Sequence, residues 1–436
     1  MRVGIFLRDF NQASGGAYTF VSNLLKKIDS INSTHQIYIF HKGSQGISFP
    51  DTILTVNIDE NLTAEDTCSH QETRRNIFNF LGKIKDTLAR LIFGKYIYQR
   101  VSAIEERMKI VESNLISSNY SSNYNNSLNR AALINKIDLM WFIVPLYMPV
   151  EVPFIFTMWD YAHRDHPYFP EVAQAGEWEA RENYYTGVLK KAAYILIGTE
   201  AGKEELAAYY NLKKDRIRVI PFSTPQLDFV PADDTARAEV LCHKPYILYP
   251  AQFWPHKNHI IILKAIKILR DSYAITLPVV FCGSDKGNLE YIKEKTEEYS
   301  LKDSVHFLGF VSLPELIRLY KDAFALVYAT YFGPANLPPL EAMSLGCPVI
   351  ASDISGASEQ LGDAALYFPP ESEAALAEAL LKLLHQPDAR QALIEKGFLQ
   401  AAKYQNENYI KGIFKIIDDF AALRECWSSD CTYAGK

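Results

Sequence analysis

The residues whose types and spacing most clearly suit ligand binding or catalysis lie in one segment, Tyr331–Gly346. Its sequence is YFGPANLPPLEAMSLG. Pro338 and Pro339 suit the first turn of a helix, Asn336 or its neighbour can cap that helix, and Gly346 suits its end. The first N–H groups of a helix have no partner within it, and they attract anions. A diphosphate is the anion that we expect this segment to hold.

Glu341 lies one turn into the same predicted helix. Its carboxylate could accept hydrogen bonds from the hydroxyl groups of a ribose. The alternative is structural, because a carboxylate near the start of a helix also interacts favourably with the helix dipole.

A second segment, Tyr249–His259 (YPAQFWPHKNH), directly follows a predicted strand. Lys257 stands at the start of the next helix, between His256 and His259. A cation at the C-terminal end of a parallel strand is well placed to meet a phosphate. The alternative is a group of surface residues without a ligand, which the strand-loop-helix context disfavours.

A third segment, Ser14-Gly15-Gly16-Ala17, separates the first predicted strand from the first predicted helix. Gly15 and Gly16 would let the backbone approach a ligand closely, next to the positive end of a helix dipole. The GxGxxG spacing of a dinucleotide site is missing. A tight turn that binds nothing is an equally good interpretation.

Short apolar runs alternate with helical patterns along the chain, and they must position these loops. The predicted strands are Arg2–Leu7, Gln36–His41, Thr52–Ile58, Leu139–Val144, Pro153–Met158, Tyr194–Ile197, Tyr246–Tyr249, Leu277–Cys282, Val305–Leu308, Ala325–Tyr328, Pro348–Ala351 and Ala365–Phe368. The predicted helices are Ala17–Ile28, His259–Arg270, Asn288–Tyr299, Leu313–Asp322 and Glu373–Leu384. This pattern predicts an α/β protein with two doubly wound domains.

We place the first domain at residues 1–225 and the second at 240–400, joined near Ser223–Lys244. A final helical run, Gln400–Leu423 within residues 400–436, could return to the first domain. Residues 68–136 break the strand-helix rhythm and predict a helical insertion. Within it, Arg74–Arg100 carries seven basic residues against one acidic residue, beside an apolar stripe. This segment could lie on an anionic membrane surface, or its stripe could pack against its own domain.

Composition narrows the class of protein. The 436 residues are 48% hydrophobic and 22% charged, as in soluble globular proteins. A net charge of −6 does not indicate a nucleic-acid partner. The six cysteines form no CxxC pair, and no apolar run is long enough for a membrane span. We therefore expect a cytoplasmic protein, with peripheral contact on the inner face of the membrane if the basic segment binds there.

Taken together, the motifs resemble the retaining family 4 glycosyltransferases. The resemblance rests on HKNH (His256–His259), FLGF (Phe307–Phe310) and NLPPLEAMSLGCPVIAS (Asn336–Ser352), and it extends to WDYAHRDHPYFPE (Trp159–Glu171). It implies a GT-B architecture, with two Rossmann-like domains that face a cleft. It also implies a nucleotide-sugar donor bound by the second domain, a glycan or lipid-linked acceptor, and no metal or other cofactor. The sequence contains no Asp-x-Asp pair of the kind that metal-dependent transferases use.

The resemblance also implies roles for individual residues. Lys257 would neutralise the diphosphate, Glu341 would bind the ribose, and His163 would face the reacting sugar. The remaining donor-binding residues would be Gly15, Gly16, Gln252, His256, Gly283, Gly309, Phe310, Gly333, Pro334, Ala335, Asn336 and Leu337.

Two positions depart from the family pattern. Gly333 stands where the family often has a glutamate, eight residues before the ribose-binding one, and Gln252 stands where it often has an arginine. Three other classes of protein therefore stay open: a non-catalytic GT-B partner subunit, a metal-free nucleotide-sugar epimerase or hydrolase, and a Rossmann epimerase or dehydrogenase. Tyr291–Lys295 matches the Tyr-x-x-x-Lys of the last class, but it lies in the second half of the chain and follows no cofactor loop.

Overall fold

The computed structural model describes residues 1–7, 16–28, 33–42, 53–58, 126–224, 245–333 and 335–427. Its strands are β1 (Arg2–Leu7), β2 (Gln36–His41), β3 (Leu54–Asn57), β4 (Leu139–Phe142), β5 (Phe154–Thr157), β6 (Tyr194–Ile197), β7 (Ile217–Val219), β8 (Ile247–Pro250), β9 (Val279–Cys282), β10 (Val305–Gly309), β11 (Ala325–Tyr328), β12 (Val349–Ser352) and β13 (Ala365–Phe368). Its helices are α1 (Gly16–Ile28), α2 (Ser127–Ile134), α3 (Ala162–Asp165), α4 (Pro170–Ala173), α5 (Glu177–Leu189), α6 (Glu200–Tyr210), α7 (His259–Tyr273), α8 (Leu289–Glu298), α9 (Leu313–Asp322), α10 (Leu337–Ser344), α11 (Ala357–Leu361), α12 (Glu373–His385), α13 (Pro387–Ala401) and α14 (Asn406–Arg424).

The strands form two parallel sheets, one in each half of the chain. The first has the order β3-β2-β1-β4-β5-β6-β7 and the second the order β10-β9-β8-β11-β12-β13. In both sheets the strand order reverses beside the first strand, as in doubly wound folds. The predicted α/β class with two such sheets is confirmed.

The first sheet is buried on both faces because alternate side chains of its strands point to opposite sides. One face packs through Phe6, Phe40, Phe142 and Phe156. The opposite face packs through Val3, Ile5, Trp141 and Ile155, among others. The second sheet is covered in the same way, with Leu248, Val280 and Val327 fully buried between its helices.

The last helix, α14, packs against the first sheet although it follows the second in the chain. It contacts α1, and its buried side chains join the cluster of β1 and β4. Its C-terminal Arg424 donates a hydrogen bond of 2.9 Å from Nε to Oδ1 of Asp138. The run predicted as one helix from Gln400 is divided in the structure, since α13 ends at Ala401 and α14 begins at Asn406.

Several sequence predictions fall on residues outside the described ranges: Gly15, Pro334, Arg74–Arg100 and residues 225–244 of the join. Of the predicted insertion at 68–136, the structure describes residues 126–136, which include α2. Within the described part of the chain, no helix combines the length and apolar character needed to cross a bilayer.

Candidate functional site

Two loops that follow neighbouring strands of the second sheet define the candidate site. In the second sheet β8 and β11 are neighbours, and the strand order reverses between them. The loop after β8 carries Gln252–Lys257, and the loop after β11 carries Thr330–Asn336. Ligands of doubly wound proteins bind at this point, beyond the C-terminal ends of the strands. The fold therefore brings together two motifs that are more than 70 residues apart in the sequence.

These loops line a cleft of about 380 Å³ that also receives residues from the first half of the chain. The cleft is lined by Phe20, Trp159, Asp160, Glu171, Val172, Arg181, Phe222, Trp254, His256, Lys257, Phe332, Gly333, Ala335, Asn336 and Leu337. Aromatic rings and a few charged groups dominate this lining. Such a lining is typical of small-molecule sites, where a few polar groups orient the ligand.

Lys257 ends a short 3₁₀ helix, Pro255–Lys257, in the wall of this cleft. Its ammonium group donates a hydrogen bond to the hydroxyl of Tyr328 at 3.2 Å and contacts Oγ1 of Thr330 at 3.5 Å. No carboxylate of the described residues forms an ion pair with it. An anionic ligand in the cleft would therefore meet an uncompensated positive charge.

The start of α10 forms the neighbouring wall. Asn336 precedes the helix and does not cap it. Its side chain instead accepts a hydrogen bond from the hydroxyl of Tyr328 at 2.9 Å and donates one to the carbonyl of Gly333 at 2.6 Å. Its own N–H donates to Gln360 at 3.0 Å. Pro338 and Pro339 carry no N–H, and the N–H of Asn336 is already bonded to Gln360. The candidates for binding an anion in this part of the described chain are therefore the N–H groups of Ala335 and Leu337.

Gly333 makes the bend before this helix, with a φ of 120° that L side chains rarely adopt. A Cβ atom at this position would lie 2.7 Å from Oδ1 of Asn336. The glycine is therefore required by the hydrogen-bonded position of Asn336.

Glu341 is the fifth of the eight residues of α10 and does not line the cleft of Lys257. Its Oε2 accepts a hydrogen bond of 2.8 Å from the hydroxyl of the buried Tyr320. Burial raises the pKa of Glu341 above its ordinary value, and the Tyr320 hydrogen bond opposes that rise. Its ribose-binding role stays a prediction.

The remaining predicted donor residues of the second domain lie at the ends of β8, β9 and β10. Gly283 donates an N–H hydrogen bond of 2.8 Å to the carbonyl of Gly309, and Phe310 beside it is 68% exposed. A Cβ atom on Gly283 would lie 2.3 Å from the carbonyl oxygen of Ala251, so the loop requires a glycine there. Gln252 accepts a hydrogen bond from the indole N–H of Trp254 at 3.0 Å.

His256 is held by a residue of the first half of the chain. Its main-chain N–H and its Nδ1 lie 3.0 and 2.5 Å from Oε1 of Glu171. Its ring stacks on Phe332 with a centroid separation of 4.0 Å. Burial lowers the pKa of His256 to about 4 although the carboxylate opposes this. The ring is therefore neutral at pH 7, and its proton lies on Nδ1, facing Glu171.

His163 does not face the cleft. Its side chain is fully buried, and Nε2 lies 3.3 Å from Glu182 and 3.2 Å from the hydroxyl of Tyr210. Its pKa is lowered by burial, against the effect of Glu182. Its contact with a reacting sugar stays a prediction. Gly16 is the first residue of α1, the helix that contributes Phe20 to the cleft.

Nine residues of the cleft lining were not predicted as site residues. Trp254 and Phe332 belong to the second half of the chain, and the other seven belong to the first half: Phe20, Trp159, Asp160, Glu171, Val172, Arg181 and Phe222. Arg181 lies in α5 and forms ion pairs with Asp160 at 3.1 Å and Glu177 at 2.6 Å. The seven residues of the first half reach this cleft only because the two sheets dock against each other. A sequence signal existed for Trp159, Asp160 and Glu171, which lie in the WDYAHRDHPYFPE motif, and for Trp254 and Phe332, which lie in the two motifs of the second half. Over the described ranges, no group of three His, Cys, Asp or Glu side chains is arranged to hold a metal ion.

Comparison with known proteins agrees with this geometry. Residues 234–400 match the family described as glycosyl transferases group 1. The chain is 32% identical over 201 residues to the O-antigen chain mannosyltransferase RfbU of Salmonella typhimurium, covering 46% of this chain and 54% of that protein. It is 27% identical to the O-antigen chain mannosyltransferase B of Escherichia coli, over 50% and 59% of the two chains. The chain thus spans between half and two thirds of the length of these curated relatives.

Solved structures resemble the whole chain. Sucrose-phosphate synthase from Thermosynechococcus elongatus superposes with a TM-score of 0.64 at 17% identity, over 97% of this chain and 99% of that one. Anabaena HepE in complex with UDP superposes with a TM-score of 0.61 at 12% identity, over 96% of this chain and 100% of that one. WaaG, a glycosyltransferase involved in lipopolysaccharide biosynthesis, gives 0.61 at 15%, over 95% and 99%. At these identities the likeness shows the fold, which is the expected GT-B architecture.

Proposed function

We propose that the chain is a retaining glycosyltransferase, because it has the GT-B fold and its residues 234–400 match the glycosyl transferases group 1 family. It would move a sugar from a nucleotide-sugar donor to a glycan or lipid-linked acceptor in surface polysaccharide biosynthesis. The resemblance to two O-antigen mannosyltransferases supports this kind of acceptor and makes mannose the first sugar to test.

The observation that carries the proposal is the position of Lys257. Its ammonium group lines the cleft beyond the C-terminal ends of β8 and β11, without a carboxylate partner among the described residues. A cation fixed beside the departing diphosphate would stabilise the charge that develops as the sugar leaves. The N–H groups of Ala335 and Leu337 would add to that stabilisation.

The proposed reaction breaks the bond between the anomeric carbon and the phosphate oxygen, and the electron pair goes to that oxygen. The acceptor hydroxyl attacks the anomeric carbon from the face that the diphosphate leaves. Its proton passes to the leaving phosphate oxygen. No side-chain nucleophile is needed, and the carboxylate of Glu341 would hold the ribose during the transfer. The reaction as proposed involves no metal ion.

One experiment tests the function directly. We expect thermal stability to rise with at least one member of a panel that includes GDP-mannose and UDP-glucose, because a ligand of the native state stabilises it. The wild type should then transfer the sugar to a membrane extract that contains lipid-linked acceptor. A protein that is stabilised by a nucleotide-sugar but transfers nothing, even with acceptor in excess, would be a non-catalytic partner subunit. Release of free sugar without an acceptor would indicate a hydrolase.

A further inference from the structure

The two oxygens of the Glu171 carboxylate have different surroundings. Oε1 accepts both hydrogen bonds from His256. Oε2 is buried and has no hydrogen-bond partner within the described part of the chain. The side chain as a whole is 6% exposed. A buried carboxylate oxygen without a partner is costly, since neither water nor protein replaces its lost hydration.

The charge of this carboxylate limits what can bind it. Burial alone would raise the pKa of Glu171, but the hydrogen bonds from His256 outweigh that effect and the pKa lies below its ordinary value. Glu171 is therefore ionised at neutral pH, and Oε2 can only accept a hydrogen bond. Because the ring of His256 is neutral, the charge has no counter-ion in that contact. A phosphate would be repelled, whereas a neutral hydroxyl group would be bound.

The walls around Glu171 favour the same class of ligand. Trp159, Trp254 and Phe332 line the cleft beside it. Flat aromatic rings can cover the apolar C–H faces of a sugar ring, while a carboxylate accepts hydrogen bonds from the hydroxyl groups at its edge. The second carboxylate in the lining, Asp160, is already paired with Arg181 at 3.1 Å.

We propose that Oε2 of Glu171 accepts a hydrogen bond from a hydroxyl group of the transferred sugar. The inference rests on the proposed function, since it assigns a residue to the sugar of the donor. Lys257 would hold the diphosphate and Glu171 the sugar, within one cleft. Glu171 would be a specificity-determining residue that contacts the substrate, and it would transfer no proton.

The test compares Glu171→Gln with the wild type in titrations of a nucleotide-sugar and of its nucleoside diphosphate. The amide keeps an oxygen for His256 and replaces the other acceptor by a donor. We expect the affinity for the nucleotide-sugar to fall at least about tenfold, the loss expected for a hydrogen bond to a charged group. The affinity for the nucleoside diphosphate should change less than about twofold. GDP-mannose with GDP, and UDP-glucose with UDP, are the probes.

Glu359→Gln is the matched control. Glu359 also joins the two halves of the chain, since its carboxylate accepts the N–H groups of Glu200 and Ala201 at 2.6 and 3.1 Å. It is exposed and does not line the cleft. This variant should therefore bind both ligands as the wild type does.

A series of donors that each lack one sugar hydroxyl identifies the contact. For the donor that lacks the hydroxyl bound by Glu171, the Glu171→Gln variant should show no further loss relative to the wild type. Equal losses for nucleotide-sugar and nucleoside diphosphate would mean that Glu171 only positions His256, and they would overturn the inference, as would no loss at all. If the wild type binds no nucleotide-sugar, the proposed function itself fails and the inference fails with it.

Discussion

The ammonium group of Lys257 lies 3.2 Å from the hydroxyl of Tyr328 and 5.3 Å from the centre of its ring. Both contacts are with a neutral side chain, so they orient the cation without cancelling its charge. The Tyr328 hydroxyl in turn donates to Asn336 at 2.9 Å. Tyr328 thus connects Lys257, the candidate phosphate-binding residue, to Asn336 at the start of α10.

Replacing Lys257 by methionine should leave the fold intact and lower sugar transfer by about 100- to 1,000-fold, the effect typical of losing one group that stabilises developing charge. Steady-state kinetics with the donor identified by thermal shift measures this. Lys264→Met is the control, because Lys264 lies in the next helix and contacts Glu373 at 4.0 Å, outside the cleft. Transfer at the wild-type rate by Lys257→Met would contradict the assignment.

Glu341→Ala should weaken nucleotide binding by about 10- to 100-fold if the carboxylate holds ribose hydroxyls, since hydrogen bonds to a charged group are being lost. The penalty should largely disappear for a 2′,3′-dideoxy nucleotide, which titration calorimetry can measure. Tyr320→Phe removes only the hydrogen bond to Oε2 and should have a smaller effect. A penalty that is the same for both nucleotides would point to a structural role in α10.

Installing a glutamate at position 333, the residue that the family resemblance would lead one to expect there, should not raise activity. The φ of 120° at Gly333 is strained for any side chain, and a Cβ atom would displace Asn336. We expect Gly333→Glu to lower both the melting temperature and the rate of transfer. Gly287→Glu is the control for backbone strain, because Gly287 has a φ of 96° but open space around it. A Gly333→Glu variant that is faster than the wild type would show that the bend tolerates a side chain.

Stability should fall as the pH falls below 6.5, and His259 should account for part of the slope. Its ring is fully buried and stacks on Phe253 at 4.4 Å. Burial lowers its pKa to about 3. Between pH 6.5 and that value the unfolded chain binds a proton that the native state does not, so the free energy of unfolding decreases by about 1.4 kcal/mol per pH unit. His256, with its pKa of about 4, adds a similar slope above that pH.

The variant His259→Phe should make this slope shallower by about 1.4 kcal/mol per pH unit, measured by urea unfolding at pH 7, 6 and 5. Its stability at pH 7 is not the readout, because a larger ring also changes packing. His385→Asn, at the exposed end of α12, should keep the wild-type slope. An unchanged slope in His259→Phe would mean that the buried ring is protonated in the native state.

The sequence of the basic segment Arg74–Arg100 allows two interpretations, packing against its own domain or binding to anionic membranes, and the following variants test the second. Changing Arg74, Arg75, Lys83 and Lys85 to glutamine should reduce co-sedimentation with phosphatidylglycerol vesicles by at least about 100-fold, since each basic residue near such a surface contributes about 1 kcal/mol. Lys293, Lys295 and Lys302 changed to glutamine in the second domain serve as the control. Two results would contradict the prediction. One is that both variants bind phosphatidylglycerol vesicles equally well, and the other is that the wild type binds phosphatidylcholine vesicles as well as phosphatidylglycerol vesicles.

The sequence predicts the parallel strands well because their signal is local. Arg2–Leu7 and Gln36–His41 are strands with the predicted bounds, and Lys257 and Gly333 meet in one cleft as the motifs imply. The short strand β7 and helix α5 were missed, since α5 has polar residues on all sides. Arg181 could not be placed in the cleft from the sequence, and for Glu171 only its position in the WDYAHRDHPYFPE motif indicated the cleft. Their positions depend on how the two sheets dock, a relationship between residues that are far apart in the chain.

The return of α14 to the first sheet has a consequence for how the protein folds during its own synthesis. Tyr409, Ile413 and Ile417 are buried among Val3, Ile5 and Leu24, so residues that are made before and after the whole second sheet share one core. The second domain can complete its core from consecutive segments while the ribosome is still working. The first domain exposes part of its apolar surface until α14 emerges, and a nascent chain that stalls before residue 406 would present that surface to chaperones and proteases.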